Sequence, residues 1–317
     1  MFSHDTITIE INKMNVYYKE HIISVMTHSQ IQLFVKIAET GSFTKAGHEL
    51  NMTQPAVSRA VSTLEAELGV TLLIRDRRNG IILTDIGERL LVVFRDILQG
   101  FEKVEQEVMA EKGFEVGTIR IGSFPSASAY FLPKIFRVIG EKYPRIQFDL
   151  YEGTIDDLRE RLSSRMIDVA FLIPPLDEFE VTPLLKEEMF LFIRDDHPLA
   201  DRSTIHLQEL SDEAMIICNG GYEIPIFERF REAGACLQVK YIVHNVNTSL
   251  NMIQEGLGVA IMSNISVALS TLPPNVRMHA LKPHPYREIN LAVPSLQEAS
   301  IAVKLFIQTA RDLFGES

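Results

Sequence analysis

The sequence predicts an α/β protein in which a mostly helical, winged helix-turn-helix part precedes a larger part built from two lobes. Three observations predict this architecture. Helical patterns and one hairpin fill the start of the chain, strands and helices alternate after Gly113, and 317 residues are enough for two domains at about 150 residues each.

The composition restricts the classes of function. With 46% hydrophobic and 23% charged residues, the chain is typical of a soluble globular protein. A net charge of -11 argues against a whole-surface nucleic-acid binder, because phosphate would repel it, so any DNA contact is local. Two cysteines, no secretory segment and no apolar run that could span a bilayer together predict a cytoplasmic protein without a membrane partner.

Residues 1–25 show no signal-peptide pattern and precede the first strong helical pattern. We interpret them as a disordered extension, or as the product of a start codon placed too early. Met1, Met14 and Met26 are therefore all candidate start sites.

Three helices are predicted between residues 26 and 68. The first ends at Gly41, the second follows a cap at Ser42, and the third follows a cap at Thr53 with Pro55 in its first turn. The third helix buries one apolar stripe, and its other face carries side chains that make hydrogen bonds. These side chains are Gln54, Ser58, Arg59 and Ser62. We interpret this face as a reading surface for DNA; the alternative is an ordinary solvated face.

A hairpin over 72–83 completes a winged helix-turn-helix over 26–85. Asn79-Gly80 is the strongest short signal for such a turn, and Arg75, Arg77 and Arg78 concentrate positive charge on this wing.

A linker helix is predicted over 86–113. Its apolar residues recur at alternating intervals of four and three, as a coiled-coil seam requires. The predicted dimerisation residues are Leu90, Phe94, Ile97, Phe101, Val104 and Val108. The alternative is a helix packed on its own domain.

The remainder, 114–317, alternates strands and helices, which predicts a mostly parallel sheet covered by helices. The expected strands are 118–123, 148–152, 168–172, 190–194, 215–218, 239–243, 259–262 and 288–293. Pro174, Pro175 and Pro183 separate two sets of strands. We therefore expect lobe I over about 116–187 and 294–317, and lobe II over about 188–293.

Several blocks, in order and spacing, closely resemble the N-terminal module of LysR-type transcriptional regulators. They are Phe34-Val35 with Ala38-Glu39, Gly41 to Ala46, Thr53 to Arg59, Leu64-Glu65 with Leu68-Gly69, and Leu83-Thr84 with Gly87. More loosely, His197 to Ala200 and Glu255 to Val259 resemble the regulatory half of that family. Gly47 stands where the family usually has alanine, which should weaken its helix by up to about 1 kcal/mol unless close packing needs the small residue.

The resemblance implies a winged helix-turn-helix, a linker helix that pairs subunits, and a two-lobed effector-binding domain like the type II periplasmic binding proteins. It also implies a homotetramer arranged as a dimer of dimers. Double-stranded DNA and a small-molecule effector are the implied partners, with RNA polymerase as a further candidate.

DNA binding must depend on where charges stand, because six basic side chains balance six acidic ones between Met26 and Asp85. We expect the third helix to point its N-terminal dipole at the duplex. Arg59 suits guanine, Gln54 suits adenine, and Ser58 suits a base edge or a phosphate. The complete predicted DNA-binding set is Ser42, Thr44, Thr53, Gln54, Pro55, Ser58, Arg59, Ser62, Arg75, Arg77 and Arg78.

Polar residues in the larger part follow strands or open helices, where ligands bind in open α/β sheets. The predicted effector-binding set is Ser123, Ser126, Ser128, Thr154, Gly221, Asn247 and Thr248. Because helix N-termini favour anions, a small carboxylate or similar metabolite is the expected effector. The alternative is that the hydroxyls only cap helices, as Thr154 would with Asp157 three residues later.

Two other functions stay open. Cys218 and Cys236 allow a thiol switch, although Cys218 ends an apolar strand, where cysteine is usually inert. The second is a cytosolic solute-binding or enzymatic module of the same two-lobed fold. The sequence has no HExxH motif, Walker loop, GxSxG motif or GxGxxG after a strand, so we expect no catalytic residue, no cofactor and no metal.

Overall fold

The structure is a computed structural model that describes residues 26–76, 80–219, 221–263, 265, 267 and 269–315. The chain divides into two compact units, Met1–Val104 and Glu105–Ser317. The expected extension over 1–25 and the wing residues Arg77 and Arg78 lie outside the described residues.

The N-terminal unit is a winged helix-turn-helix, as the sequence predicts. Its elements are α1 (His28–Thr40), α2 (Phe43–Glu49), α3 (Gln54–Leu68), β1 (Leu73–Asp76), β2 (Gly80–Leu83) and the first part of α4 (Asp85–Glu111). Thr27 and Gln30 form a capping box at the start of α1, and Gly41 ends the helix at φ 62°. Ser42 accepts the Lys45 N–H at the start of α2. Local signals therefore fix each helix boundary.

One core holds this unit together. Its fully buried side chains include Leu33, Phe34, Ile37, Ala46, Val57, Leu64 and Leu72. At the end of α3, Glu65 Oε1 accepts the N–H groups of Leu72 at 2.7 Å and Leu73 at 3.1 Å. The wing is thus fastened to α3.

The apolar residues of α4 form two groups, not the single seam that the sequence predicts. One group packs in the core of the N-terminal unit, and the other is exposed. Phe94 is 2% exposed and meets Phe34 edge to face, with 5.5 Å between ring centroids, so this predicted dimer contact belongs to the core of its own unit. Leu90 and Ile97 are half-buried against the same core. The seam residues that remain exposed are Phe101, Val104 and Val108.

The C-terminal unit alternates strands and helices. Its elements are β3 (Gly117–Ser123), α5 (Pro125–Lys142), β4 (Ile146–Glu152), α6 (Ile155–Ser163), β5 (Val169–Leu172), β6 (Glu180–Arg194), β7 (Thr204–His206), a 3-10 helix (Leu207–Leu210), β8 (Ala214–Cys218), α7 (Glu223–Glu232), β9 (Gln238–Val243), α8 (Val246–Gln254), β10 (Ala260–Ser263), β11 (Val276–Lys282), β12 (Tyr286–Val293) and α9 (Ile301–Phe314).

The main sheet is mixed, so the expectation of a mostly parallel sheet is wrong. Its strands lie in the order β4-β3-β5-β12-β6-β11-β7, with β10 also paired to β6, and β8 pairs with β9 in a separate sheet. Strand β3 is parallel to β4 and β5, but β12 is antiparallel to both β5 and β6. Strands β11 and β12 lie on opposite sides of β6, and both are antiparallel to it.

Two separate hydrophobic cores define the two lobes. The first lobe, built by β3, α5, β4, α6, β5 and α9, packs around residues such as Phe131 and Phe171, and the second packs around residues such as Phe192 and Phe230. Strand β6 passes from the first core to the second. Ile289 and the rest of the buried side of β12 lie in the first core, because β12 pairs with β5. The expected lobe boundary after residue 293 therefore moves to the start of β12.

Gly47 tests the close packing between α2 and α3. A Cβ at this position would lie 2.9 Å from the Met52 carbonyl oxygen and 2.9 Å from Val57 Cγ2. We therefore expect Gly47→Ala to lower the melting temperature measured by circular dichroism, although alanine alone favours a helix over glycine by about 1 kcal/mol.

Gly140→Ala in α5 is the matched control, because nothing lies within 4 Å of its added Cβ. It should raise the free energy of unfolding by about 0.5–1 kcal/mol. Equal stabilisation by both substitutions would contradict the close packing at Gly47.

Candidate functional site

The N-terminal end of α3 forms the first candidate site. The buried side of α3 carries Val57, Val61 and Leu64, so its opposite side faces outward. The first amides of any α-helix lack an intrahelical partner, and the Thr53 side chain makes no capping bond to those of α3. The predicted DNA contacts exposed here are Thr53, Gln54, Pro55, Arg59 and Ser62. This face combines a helix N-terminus with side chains suited to base edges.

Arg75, at the root of the wing, is held against this face. Its Nη2 donates to Ser58 Oγ at 2.7 Å, and its guanidinium carbon lies 4.2 Å from the centroid of the Phe43 ring. Two residues predicted as separate DNA contacts are thus joined, and the Arg75 charge has a defined position beside α3. Of the other predicted contacts, Ser42 caps α2 and Thr44 is exposed in its first turn.

The second candidate site is a cavity of about 170 Å³ between the two lobes. Two helices open into it with their N-termini: α5 from the first lobe, with Pro125 and Ser126, and α8 from the second, with Val246 and Asn247. The other lining residues are Ala129, Cys218, Tyr222, His244, Asn245, Leu269 and Ser270. None of these described lining residues is acidic, and both helix dipoles place partial positive charge at the cavity. The arrangement suits a small anion.

Arg287 and Glu187 form a buried ion pair next to this cavity. They face each other on neighbouring strands β12 and β6, where Arg287 Nε donates to Glu187 Oε1. Arg287 Nη2 also donates to Ser126 Oγ at 3.2 Å, and the guanidinium carbon lies 4.0 Å from the centroid of the Tyr222 ring. One guanidinium therefore contacts the first lobe through Ser126 and the second lobe through Tyr222.

The cavity brings together two of the predicted effector residues, Ser126 and Asn247. Gly221 lies close by at φ 89°, and a Cβ on it would be 3.2 Å from Arg287 Nη1. Thr248 is exposed on α8. The sequence therefore locates the helix starts that border the cavity.

Three further predicted residues lie in the first lobe and are not among the described residues that line the cavity. The Ser123 hydroxyl is buried and donates to the Phe124 carbonyl at 3.2 Å, and Ser128 is buried in α5. Thr154 caps α6: its hydroxyl donates to Asp157 Oδ2 at 2.7 Å and accepts the Asp157 N–H at 3.2 Å. The bond from the Thr154 hydroxyl, together with the Thr154 N–H that donates to Asp157 Oδ2 at 3.2 Å, holds the pKa of Asp157 below its usual value. Thr154 thus performs the capping role that the sequence left as its alternative.

Arg287, Glu187, Tyr222 and His244 are not among the residues that the sequence predicts for this site. Arg287 and Glu187 are 100 positions apart in sequence, and only the register of β6 against β12 brings them together. Strand β12 carries the neighbouring charged residues Arg287 and Glu288, and the local sequence does not tell that Arg287 is the buried one.

The two cysteines lie at opposite ends of the β8–β9 pair. Ala214 pairs with Gln238 and Cys218 pairs with Val243, whereas Cys236 precedes Gln238. The four residue steps from Ala214 to Cys218 span about 13 Å along the strand, well beyond the roughly 7 Å that a disulfide bridges between Cα atoms. Burial raises the pKa of the Cys218 thiol to about 12, and Cys236 is exposed. The geometry gives no pair poised for a thiol switch.

Metal-binding clusters and membrane-spanning helices are both missing from the part of the chain that the structure describes. Among the described residues, no group of three or more His, Cys, Asp or Glu side chains is placed to hold a metal ion. In the same part of the chain, no helix has the length and apolar character needed to cross a bilayer.

Comparison with protein families assigns both units. The model described as "Bacterial regulatory helix-turn-helix protein, lysR family" matches residues 28–88, and the model described as "LysR substrate binding domain" matches residues 112–315. This chain belongs to the LysR family of transcriptional regulators.

Named relatives agree with this assignment. YvbU of Bacillus subtilis (strain 168), an uncharacterized HTH-type transcriptional regulator, is 55% identical and aligns over 92% of this chain and 99% of its own length. YoaU of the same organism, with the same description, is 32% identical over 90% of this chain and 98% of its own length. These names confirm the prediction of a transcriptional regulator rather than an enzyme.

Solved structures confirm the fold. A full-length OxyR variant from Pseudomonas aeruginosa superimposes with a TM-score of 0.73 at 21% identity, covering 90% of this chain and 95% of that chain. Full-length CbnR complexed with its target DNA gives a TM-score of 0.61 at 22% identity, covering 90% of this chain and 99% of that chain. At these identities the likeness shows the fold alone.

The cysteines are expected to differ in reactivity. At about pH 8, near the pKa of a free thiol, a disulfide reagent such as DTNB should modify Cys236 rapidly and leave Cys218 unmodified, because burial keeps Cys218 protonated. Protein unfolded in guanidinium should lose both thiols and supplies the control. Rapid loss of both thiols from the native protein would contradict the burial of Cys218.

Proposed function

We propose that this regulator binds a specific DNA sequence through the start of α3, and that a small anionic metabolite bound between its lobes controls this binding. The observation that supports DNA recognition is the exposed polar face of α3, with Gln54 and Arg59 opposite the buried stripe. In this proposal the start of α3 enters the major groove, where Arg59 meets a guanine edge.

The wing supplies phosphate contacts in the same proposal. Because Ser58 and Phe43 already orient the Arg75 guanidinium, Arg75 gives up little side-chain freedom when DNA binds. The net charge of -11 keeps the rest of the molecule away from the duplex.

Arg59→Ala is expected to weaken binding to the cognate site by about 1–3 kcal/mol and to change binding to random DNA little. Arg75→Ala, the matched variant, should weaken both alike, because phosphate contacts carry no sequence information. Gel-shift titrations at fixed salt, with DNA from upstream of the protein's own gene and random DNA of the same length, measure both variants. Equal losses on the two DNAs for Arg59→Ala would refute its role in sequence recognition.

The proposal also includes the pairing of two copies of this chain through α4. Phe101, Val104 and Val108 leave 51%, 63% and 49% of their surface exposed on one seam of α4, which a second copy of α4 would cover. The family resemblance supports a dimer of dimers and a contact with RNA polymerase. A DNA-binding protein works where the chromosome lies, so the proposal includes a cytoplasmic location.

The expected effector is a small carboxylate or similar anion. Helices α5 and α8 bring two N-termini to one cavity, and its described lining has no acidic residue to repel the ligand. A ligand that prefers one arrangement of the lobes shifts the population toward it, and the DNA-binding state that accompanies this arrangement is then favoured.

Asn247→Asp tests the anion proposal. The substitution is nearly isosteric and suits the start of a helix, so the fold should be retained, but it places a carboxylate in the cavity. A thermal-shift screen of small metabolic anions should find a ligand that stabilises the wild-type protein, by about 2.7 kcal/mol at a hundred times its dissociation constant. Asn247→Asp should lose this stabilisation.

Asn251→Asp is the matched control, because it adds the same charge at an exposed position of α8 that does not line the cavity. It should respond as the wild type does. A ligand that stabilises Asn247→Asp as well as it stabilises the wild type would show that the anion does not bind at this cavity.

A further inference from the structure

Near its C-terminal end, α4 buries a polar side chain, that of Gln106. Gln106 is 4% exposed, whereas its neighbours Glu105 and Glu107 are exposed. Burying an amide is destabilising unless its polar atoms find hydrogen-bond partners. The residues of α4 from Glu105 onward belong to the C-terminal unit, and the partner of Gln106 lies in the same unit.

The partner of Gln106 is the start of α9. Gln106 Oε1 accepts the Ala302 N–H at 3.2 Å, in a buried bond between residues 196 positions apart. The first amides of a helix have no intrahelical acceptor. Ser300, the N-cap of α9, accepts the Val303 N–H at 3.3 Å, and Gln106 supplies the acceptor for the amide before it. The end of α4 is thereby bound to the first lobe, to which α9 belongs.

Strand β3 packs against the same amide. Its first residue, Gly117, has φ 138°, and a Cβ added there would lie 2.5 Å from Gln106 Nε2 and 3.5 Å from Ala302 Cβ. A side chain at position 117 therefore fits only if the Gln106 amide moves. Three elements meet at this point, and we call Gln106, Gly117 and Ala302 together the α4 joint.

Strand β3 runs from the α4 joint to the cavity. It begins at Gly117 and ends at Ser123, about 20 Å further along the strand. Helix α5 follows with Pro125 and Ser126, which line the cavity. The strand lies between β4 and β5, and its buried side chains belong to the core of the first lobe. Because a strand paired on both edges and packed in a core resists bending, a displacement at one end reaches the other.

We propose that Gln106 is a positioning residue that couples the cavity to DNA binding. Its bond to Ala302 makes the last turns of α4 move with the first lobe, and α4 carries this movement toward the N-terminal unit, in which the helix begins. Gln106 is not among the described residues that line the cavity, so it acts through α9 and β3. This inference rests on the proposed function, because it concerns how an occupied cavity controls DNA binding.

Gln106→Met removes the acceptor at nearly constant volume and should abolish the coupling. Coupling between two sites is reciprocal, so DNA can serve as the probe. In the full-length wild type, saturating DNA from upstream of the protein's own gene should change hydrogen exchange over 126–132, at the cavity, by about fivefold, as measured by mass spectrometry. In Gln106→Met this DNA-dependent change should disappear, although gel shifts should show that the variant still binds the DNA.

Two matched variants separate coupling from folding. Gln106→Glu keeps an oxygen within reach of the Ala302 N–H, at a helix N-terminus that favours negative charge, and should retain the DNA-dependent change. Gln308→Met makes the same substitution at an exposed position of α9, where Gln308 Nε2 donates to Asp312 Oδ1 at 2.6 Å, and should respond as the wild type does. A purely structural Gln106 predicts a lower melting temperature for Gln106→Met with an unchanged response to DNA.

Gly117→Ala disturbs the α4 joint from β3 and should lose the DNA-dependent change as well, which keeps the test valid if Gln106→Met does not fold. The coupling role is overturned if the change persists in Gln106→Met or Gly117→Ala, if Gln106→Glu loses it, or if Gln308→Met loses it too. A wild type that binds the DNA without any change over 126–132 overturns it equally. A wild type that does not bind the upstream DNA contradicts the proposed function instead.

Discussion

The antiparallel pairing of β6 with β12 is the constraint on which the C-terminal unit depends. Strand β6 runs from the core of the first lobe into that of the second, and β12 pairs with it over residues 286–293. One lobe can change its position relative to the other only if these strands twist, or if contacts at their crossing change. The register that sets Arg287 opposite Glu187 places a charged pair at that crossing.

The location of charge matters more than its total at both sites. A chain of net charge -11 contains a DNA-reading unit in which basic and acidic groups balance, and a cavity whose described lining carries no carboxylate. Helix N-termini supply the positive potential at both places, through the start of α3 and through the starts of α5 and α8. The same backbone physics therefore underlies both parts of the proposed function, phosphate contact at one site and binding of a small anion at the other.

Local signals make the N-terminal unit predictable. The Ser42 cap and Gly41 in the left-handed region fix helix ends from neighbouring residues alone. The sequence predicts strand β6 only over 190–194, because Pro183 and the charged residues after it interrupt the apolar pattern, although the strand begins at residue 180. Phe94 fits the coiled-coil spacing and still packs on Phe34, since spacing cannot tell which apolar surface a helix face meets.

The residues at the cavity show the same difference between features set by neighbouring residues and features set by distant contacts. Ser126 and Asn247 could be predicted because both stand at helix starts, and a helix start is visible in the sequence around it. Arg287 needs a partner to offset the cost of its burial, but the sequence of β12 does not say that Glu187, 100 positions earlier, provides it. In the proposed function, anion recognition is thus encoded locally, in helix starts, whereas the ion pair beside the cavity is encoded in strand register.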